Sequence, residues 1–249
     1  MNPRHSRSHF SLAFGGILAI FSLTACNSLP GRPASGPEVV RPDEVLDFNT
    51  LYKQNCSGCH GAEGKGGATV SLADPVYLAL VSDATLRQVM TNGVPGTPMR
   101  AFARSAGGTL TDRQINVLVR ESRARWAKPD ALAGASPPSY TASAPGDAGR
   151  GAGVYQTFCA SCHGPGGKGS DKAGSIVDPS YLALVSDQGL RTTVIVGVPN
   201  VGAPDWRGNS PGRPMADQDV SDVVAWIVAQ RPPGQPCPSS PGPATGGSQ

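Results

Sequence analysis

The sequence predicts an all-α protein made of two tandem small helical bundles, and three observations carry that prediction. First, a pentapeptide occurs twice, as Cys56-Ser57-Gly58-Cys59-His60 and as Cys159-Ala160-Ser161-Cys162-His163. Second, Asp74-Pro75-Val76-Tyr77-Leu78-Ala79-Leu80-Val81-Ser82-Asp83 returns as Asp178-Pro179-Ser180-Tyr181-Leu182-Ala183-Leu184-Val185-Ser186-Asp187, and Gly93-Val94-Pro95 returns as Gly197-Val198-Pro199. Third, each half closes on a helical apolar stripe, Ile115, Leu118 and Val119 in one and Val220, Val223, Val224, Ile227 and Val228 in the other. Cys56 and Cys159 are 103 residues apart and Gly93 and Gly197 are 104 apart, so one insertion separates the halves of an internal duplication.

Taken in order, residues 1–25 read as a targeting leader, to be set aside from the fold. Arg4 and Arg7 supply its positive end, and Phe10 to Leu23 supply an apolar stretch too short for a clear membrane span. It ends in Leu23-Thr24-Ala25-Cys26, which resembles a bacterial lipobox and marks Cys26 as a lipidation site. An ordinary signal peptide, or a retained helical anchor, are the alternatives. Residues 26–42 are a Pro/Gly/Ser tether expected to hold the body away from a membrane. The first domain spans 43–126. Leu46, Phe48, Leu51 and Tyr52 form a helical pattern leading into Cys56, and Thr111 opens a capping box with Leu110 and Ile115 spaced as a hydrophobic staple. Residues 127–146 shift to Ala, Pro, Ser and Gly and read as a linker. The second domain spans 147–231, with Val154, Tyr155 and Phe158 leading into Cys159. The tail from 232 to 249 is Pro/Gly/Ser-rich and expected to be disordered, and its Cys237 reads as an incidental thiol.

The pentapeptide is C-x-x-C-H, the attachment signature of a c-type haem. Two thiols on one helical turn add to the two vinyl groups of a porphyrin, and the next residue offers an imidazole nitrogen to the iron. Cys56, Cys59, Cys159 and Cys162 are therefore the candidate covalent attachment points, and His60 and His163 the candidate iron ligands, for two haems c. A zinc ribbon also pairs CxxC motifs, but it does not require a histidine after both pairs. A chain with 6% aromatics, 32 Gly and 24 Pro has little to build a core from, and a large apolar cofactor in each half supplies what the side chains lack. The net charge is +3, and loss of Arg4 and Arg7 with the leader leaves 19 basic residues against 18 acidic, which argues against a nucleic-acid partner.

The order of helix, C-x-x-C-H, Met-bearing loop and closing helix resembles the class I cytochrome c family over nearly the whole chain apart from its ends and linker. The resemblance implies an axial methionine opposite each histidine. In the first domain Met99, in Pro98-Met99-Arg100-Ala101-Phe102, matches that ligand, while Met90 reads as core. The second domain departs from the pattern. Alignment on Gly197 puts Ala203 where Met99 stands, and the methionine left over is Met215, which follows Pro214 as Met99 follows Pro98 but aligns with the staple residue Leu110. Met215 is thus either a displaced iron ligand or a core residue packed on Val220. His5 and His9 lie in the leader, so a histidine pair on either iron is excluded without a partner's residue.

The resemblance implies a dihaem cytochrome that passes single electrons between respiratory partners, from a quinol-oxidising complex toward a terminal oxidase or reductase. The expected setting is the outer side of the cytoplasmic membrane or the periplasm, held through the lipid anchor, with no enzymatic activity. The competing reading is a dihaem peroxidase-like or small-ligand-binding protein that uses an open second haem. Asp74 and Asp178 read as cap residues, Tyr77 and Tyr181 as packing near the haem, and Arg113, Arg120, Arg123 and Arg125 as a basic face on the first closing helix.

Overall fold

In the computed structural model, which describes residues 39–208, 210 and 212–232, each half of the chain is built from the same five helices in the same order. The leader, Cys26 and the tether up to residue 38 lie outside the described residues, as does the tail from residue 233 with Cys237. The first half contains α1 (Phe48–Asn55), α2 (Ser57–His60), α3 (Pro75–Leu80), α4 (Asp83–Asn92) and α5 (Asp112–Trp126). The second contains α6 (Ala148–Phe158), α7 (Ala160–His163), α8 (Pro179–Leu184), α9 (Asp187–Val196) and α10 (Asp217–Val228). Among the described residues there is no β-strand, only the isolated bridges Ala103 with Leu110 and Val198 with Ala203. No described helix is long and apolar enough to cross a membrane.

Short polar side chains fix where the helices begin, because the first backbone N–H groups of a helix have no partner inside it. The Asp74 carboxylate accepts from the N–H groups of Val76 and Tyr77 at 2.8 and 3.0 Å, and Asp178 does the same for Ser180 and Tyr181 at 2.9 and 3.1 Å. Both aspartates are caps, as their place before proline predicts. Thr111 and Gln114 close a reciprocal capping box on α5: the Gln114 N–H donates to Thr111 Oγ1 at 3.2 Å and the Thr111 N–H to Gln114 Oε1 at 2.9 Å. The equivalent residue before α10 is Ala216, which has no side-chain oxygen, so only the return half survives, with the Ala216 N–H donating to Asp219 at 2.9 Å.

The closing helices cross the entering ones, and the two halves manage this crossing differently. In the second half Gly151 lets α6 meet α10 closely, since a Cβ there would lie 2.1 Å from the Asp222 carbonyl oxygen. In the first half the corresponding residue is Phe48, and α1 meets α5 through rings: Phe48 lies 5.6 Å from Tyr52 and 5.6 Å from Trp126. Leu51, Leu78, Ile115 and Leu118 fill the first core, and Leu182, Ile195, Val220 and Val223 the second.

From Pro42 to the last described residue, 232, the chain forms one compact unit. The linker is fastened rather than loose. Buried Arg191 of α9 donates from Nε to the carbonyls of Ser139 and Tyr140 at 2.9 and 3.2 Å and from Nη1 to Ser221 Oγ at 3.0 Å, and it pairs with Asp217. Arg207 donates to the Leu132 carbonyl at 3.0 Å. α3 packs against α9, and the repeated tyrosine records the consequence: Tyr77 is 6% exposed and Tyr181 37%, although their segments are nearly identical. Tyr77 lies near Tyr140 of the linker and Arg123, at the contact between the halves.

Candidate haem sites

Each CxxCH sequence occupies a single helical turn hinged at its first cysteine. The Cys56 N–H donates to the Tyr52 carbonyl at 2.8 Å, ending α1, and the Cys56 carbonyl accepts from His60 at 3.0 Å, beginning α2. Cys159 repeats both bonds at 2.9 Å, with Tyr155 and with His163. This turn places one half-buried sulfur (Cys56, Cys159) and one exposed sulfur (Cys59, Cys162) beside the histidine. None of the four is paired in a disulfide. The turn then stops at Gly61 and Gly164, with φ of 82° and 71°; a Cβ at Gly61 would lie 1.9 Å from the Lys65 carbonyl oxygen.

The histidines are held as iron ligands require. His60 is buried, and its Nδ1 lies 2.9 Å from the Val70 carbonyl oxygen; His163 Nδ1 lies 2.8 Å from that of Gly174. A carbonyl oxygen only accepts, so Nδ1 carries the proton in both rings and Nε2 keeps the lone pair that a metal needs. Burial lowers the His60 pKa and favours that neutral form. Burial, with Cys59 next in effect, pushes the Cys56 thiol up to about 12, and burial with Cys162 raises Cys159 to about 11. A redox-active CxxC needs the opposite, a stabilised thiolate. Among the described residues no three His, Cys, Asp or Glu side chains gather around one point as ligands of a bare ion. The sulfurs and imidazole fit an extended macrocycle better than a compact metal site.

A tyrosine that the sequence offers only as part of the entering helix's pattern supports each turn. Tyr52 Oη donates to the Gly61 carbonyl at 2.9 Å, and Tyr155 Oη to that of Gly164. The tyrosine rings pack on closing-helix tryptophans: Tyr52 meets Trp126 edge-on at 5.3 Å, and Tyr155 stacks on Trp226 at 4.2 Å. Both tryptophans also press on a loop glycine, Gly64 or Gly167. The 103-residue spacing from Tyr52 to Tyr155 and from Gly61 to Gly164 was the available signal. The tryptophans escape it, standing at different depths in their helices.

In the strap that follows the fourth helix of each half, the two halves share a backbone and differ in side chain. The strap after α4 is closed by the Val94 N–H donating to the Met99 carbonyl at 2.7 Å; the strap after α9 by the Val198 N–H donating to the Ala203 carbonyl at 2.9 Å. Gly93 and Gly197 press on these carbonyls, where a Cβ would come within 2.5 and 2.7 Å of them. Ala203 therefore holds the backbone place of Met99. Met90 is buried in α4. Met215 is 5% exposed, and its N–H donates to the Trp206 carbonyl at 2.8 Å, as the Leu110 N–H donates to the Phe102 carbonyl at 2.8 Å. Met215 thus holds the place of Leu110.

The basic face expected on α5 is largely engaged. Arg123 turns inward to the carbonyls of Leu78 and Val81 and to Asp83, while Arg125 lies over the Phe48 ring at 4.4 Å.

A duplicated helical bundle with a CxxCH turn in each half, its histidine oriented through Nδ1, defines a tandem c-type cytochrome. The model of the family described as cytochrome c oxidase, cbb3-type, subunit III matches residues 43–120 and 146–227, and the chain belongs to this cytochrome c family. A cytochrome c domain of this family carries covalently bound haem c. The chain is 26% identical over 228 residues to the cytochrome bc1 complex cytochrome c subunit of Mycobacterium tuberculosis, covering 89% of this chain and 78% of that protein. It is 31% identical over 135 residues to the cbb3-type cytochrome c oxidase subunit FixP of Azorhizobium caulinodans, covering 50% of this chain and 40% of that one. Among solved structures, the Kuenenia stuttgartiensis reducing HAO-like protein complex aligns with a TM-score of 0.42 at 16% identity, over 79% of this chain and 99% of that chain.

Proposed function

We propose that this chain carries two haems c and passes single electrons between respiratory complexes, as a carrier or bound subunit rather than an enzyme. The observation that supports this best is the pair of CxxCH turns with His60 and His163 each oriented by a backbone carbonyl. In this reading Cys56 and Cys59 hold one porphyrin, and Cys159 and Cys162 the other. His60 and Met99 would ligate the first iron, and His163 the second. Haem iron supplies the one-electron couple. The polypeptide orients each histidine through a backbone carbonyl and keeps the halves in one body.

The relatives named as subunits of a bc1 complex and of a cbb3 oxidase support a place between a quinol-oxidising complex and a terminal oxidase or reductase. We further propose that the protein is exported and held at a membrane through a lipid on Cys26, facing the periplasm or extracytoplasmic space; the lipobox-like Leu23-Thr24-Ala25-Cys26 supports this. A peroxidase-like reading has less support, because His60 and His163 are the only histidines beyond the leader and no third one is present to move protons.

The test is a haem count on the protein purified from a host that matures c-type cytochromes. Pyridine haemochrome spectra are expected to give about two haems per chain, falling to about one in C159A/C162A, in line with the attachment signature. A single haem in the unaltered chain overturns the dihaem reading. Labelled fatty acid is expected to be incorporated by the unaltered chain and lost in C26A; labelling that survives removes the anchor.

A further inference from the structure

The two straps share a backbone but not the side chain it carries. Met99 and Ala203 occupy one structural position, fixed in each half by the same hydrogen bond to the second residue of Gly-Val-Pro and by the same glycine contact. Replacing Met by Ala there removes Cγ, Sδ and Cε, and with them the ligating sulfur. No other residue of the strap, Gly197 to Met215, is a His, Lys, Cys or Tyr. Asp205 is held by Arg207, with Oδ1 accepting from Nε at 3.1 Å.

Met215 does not make up the loss. Its backbone bond, its burial and its place one residue before the first residue of the α10 cap are those of Leu110 before α5. Val220, with no exposed surface, stands five residues after it, as Ile115 stands five after Leu110. This is the spacing of a hydrophobic staple. Swinging the sulfur to the iron would remove a buried side chain from that position and leave a void in the core.

We infer that the second haem has no methionine ligand and that the iron position Ala203 leaves without a sulfur is a binding site for a small diatomic ligand. The inference rests on the proposed attachment of a haem at Cys159, Cys162 and His163. The chemistry it assigns is simple coordination: the ligand's lone pair forms a bond to the ferrous iron, nothing is oxidised or reduced, and no proton moves. Carbon monoxide is the probe, because it needs an open or weakly held position on ferrous iron. Met99 closes that position in the first half.

The experiment is a carbon monoxide titration of the dithionite-reduced holoprotein, after the haem count is established. Expected uptake is about one carbon monoxide per two haems, rising to about two in M99A. A203M is expected to abolish uptake and to add a second sulfur-to-iron absorbance band in the oxidised protein. M215L, which keeps the core filled, is expected to leave uptake and spectrum unchanged. Should the two-haem protein take up no carbon monoxide, the inference fails; if M215L then opens a site, Met215 is the ligand. A chain that carries one haem, with none on Cys159 and Cys162, fails at the earlier reading of function instead. Should A203M fold poorly, the comparison of M215L with the unaltered protein still decides between the two ligand sets.

Discussion

Gly93 and Gly197 show how a single residue sets the course of the strap that carries Met99 in one half and Ala203 in the other. Their φ,ψ pairs, 68°,−166° and 73°,−170°, lie in a region open almost only to glycine. A Cβ at Gly93 would also lie 2.5 Å from backbone atoms of Met99 and Arg100. G93A is therefore expected to destabilise the fold by about 2–3 kcal/mol and to weaken the Met99 sulfur-to-iron band, measured by thermal unfolding and by the oxidised spectrum. Asp222 makes a second residue-scale prediction. Hydrogen bonds from Arg150, at 2.8 and 2.9 Å, hold its carboxyl down at about 2, against the opposing effect of burial. A carboxylate whose folded pKa is lowered stabilises the fold above its unfolded pKa, and that contribution disappears as pH falls through the folded value. D222N is thus expected to be less stable than the unaltered protein by about 1–2 kcal/mol at pH 7, with the gap closing between about pH 4 and pH 2 in denaturant titrations. At this scale the sequence was legible where the chemistry is local. CxxCH needs one turn of chain, and Ala203 falls out of a short alignment. The Arg150–Asp222 pair spans 72 residues, and no local pattern announces it.

Helices were legible for the same reason: caps and apolar stripes are written within a few residues of each other, as at Asp74, Asp178 and Thr111. What joins one element to another was not. Arg123 caps the end of α3 through the carbonyls of Leu78 and Val81 and pairs with Asp83, and the second half repeats the device with Arg231 donating to the Val185 carbonyl at 2.9 Å and to Asp187 at 2.6 Å. The two arginines lie 108 residues apart, off the register of the duplication, so the sequence presented Arg123 as part of a solvated face. Arg191 and Arg87 separate inheritance from use. They are duplicates at one helix position, yet Arg87 is exposed while Arg191 is 3% exposed and binds the linker. Truncating Arg191 leaves Asp217 and two linker carbonyls short of partners. R191A is expected to cost about 3 kcal/mol and to make residues 137–146 markedly more sensitive to limited proteolysis, whereas R87A is expected to stay within about 0.5 kcal/mol of the unaltered protein.

Across the whole molecule, duplication has produced two copies that are no longer equivalent. α3 is covered by α9, while its copy α8 leaves Leu184 56% exposed. The segment that its Ala, Pro, Ser and Gly composition marks as a linker is bound by side chains from the second half, because Arg191 and Arg207 satisfy carbonyls that its sequence leaves without helical partners. On the proposed ligand sets, the two irons would diverge in the same way, and this would give the molecule a direction. A thioether sulfur favours ferrous over ferric iron, so a first haem held by His60 and Met99 would have the higher potential, and a second held by His163 without a sulfur the lower. Electrons would then enter through the second half and collect on the first. Spectroelectrochemical titration is expected to resolve two one-electron waves, with the sulfur-to-iron band following the higher one. M99A is expected to bring the higher wave down toward the lower and leave the latter in place, and A203M to bring the lower wave up. Two waves that move together in either variant would mean that the halves share one ligand environment, and the proposed direction would be lost.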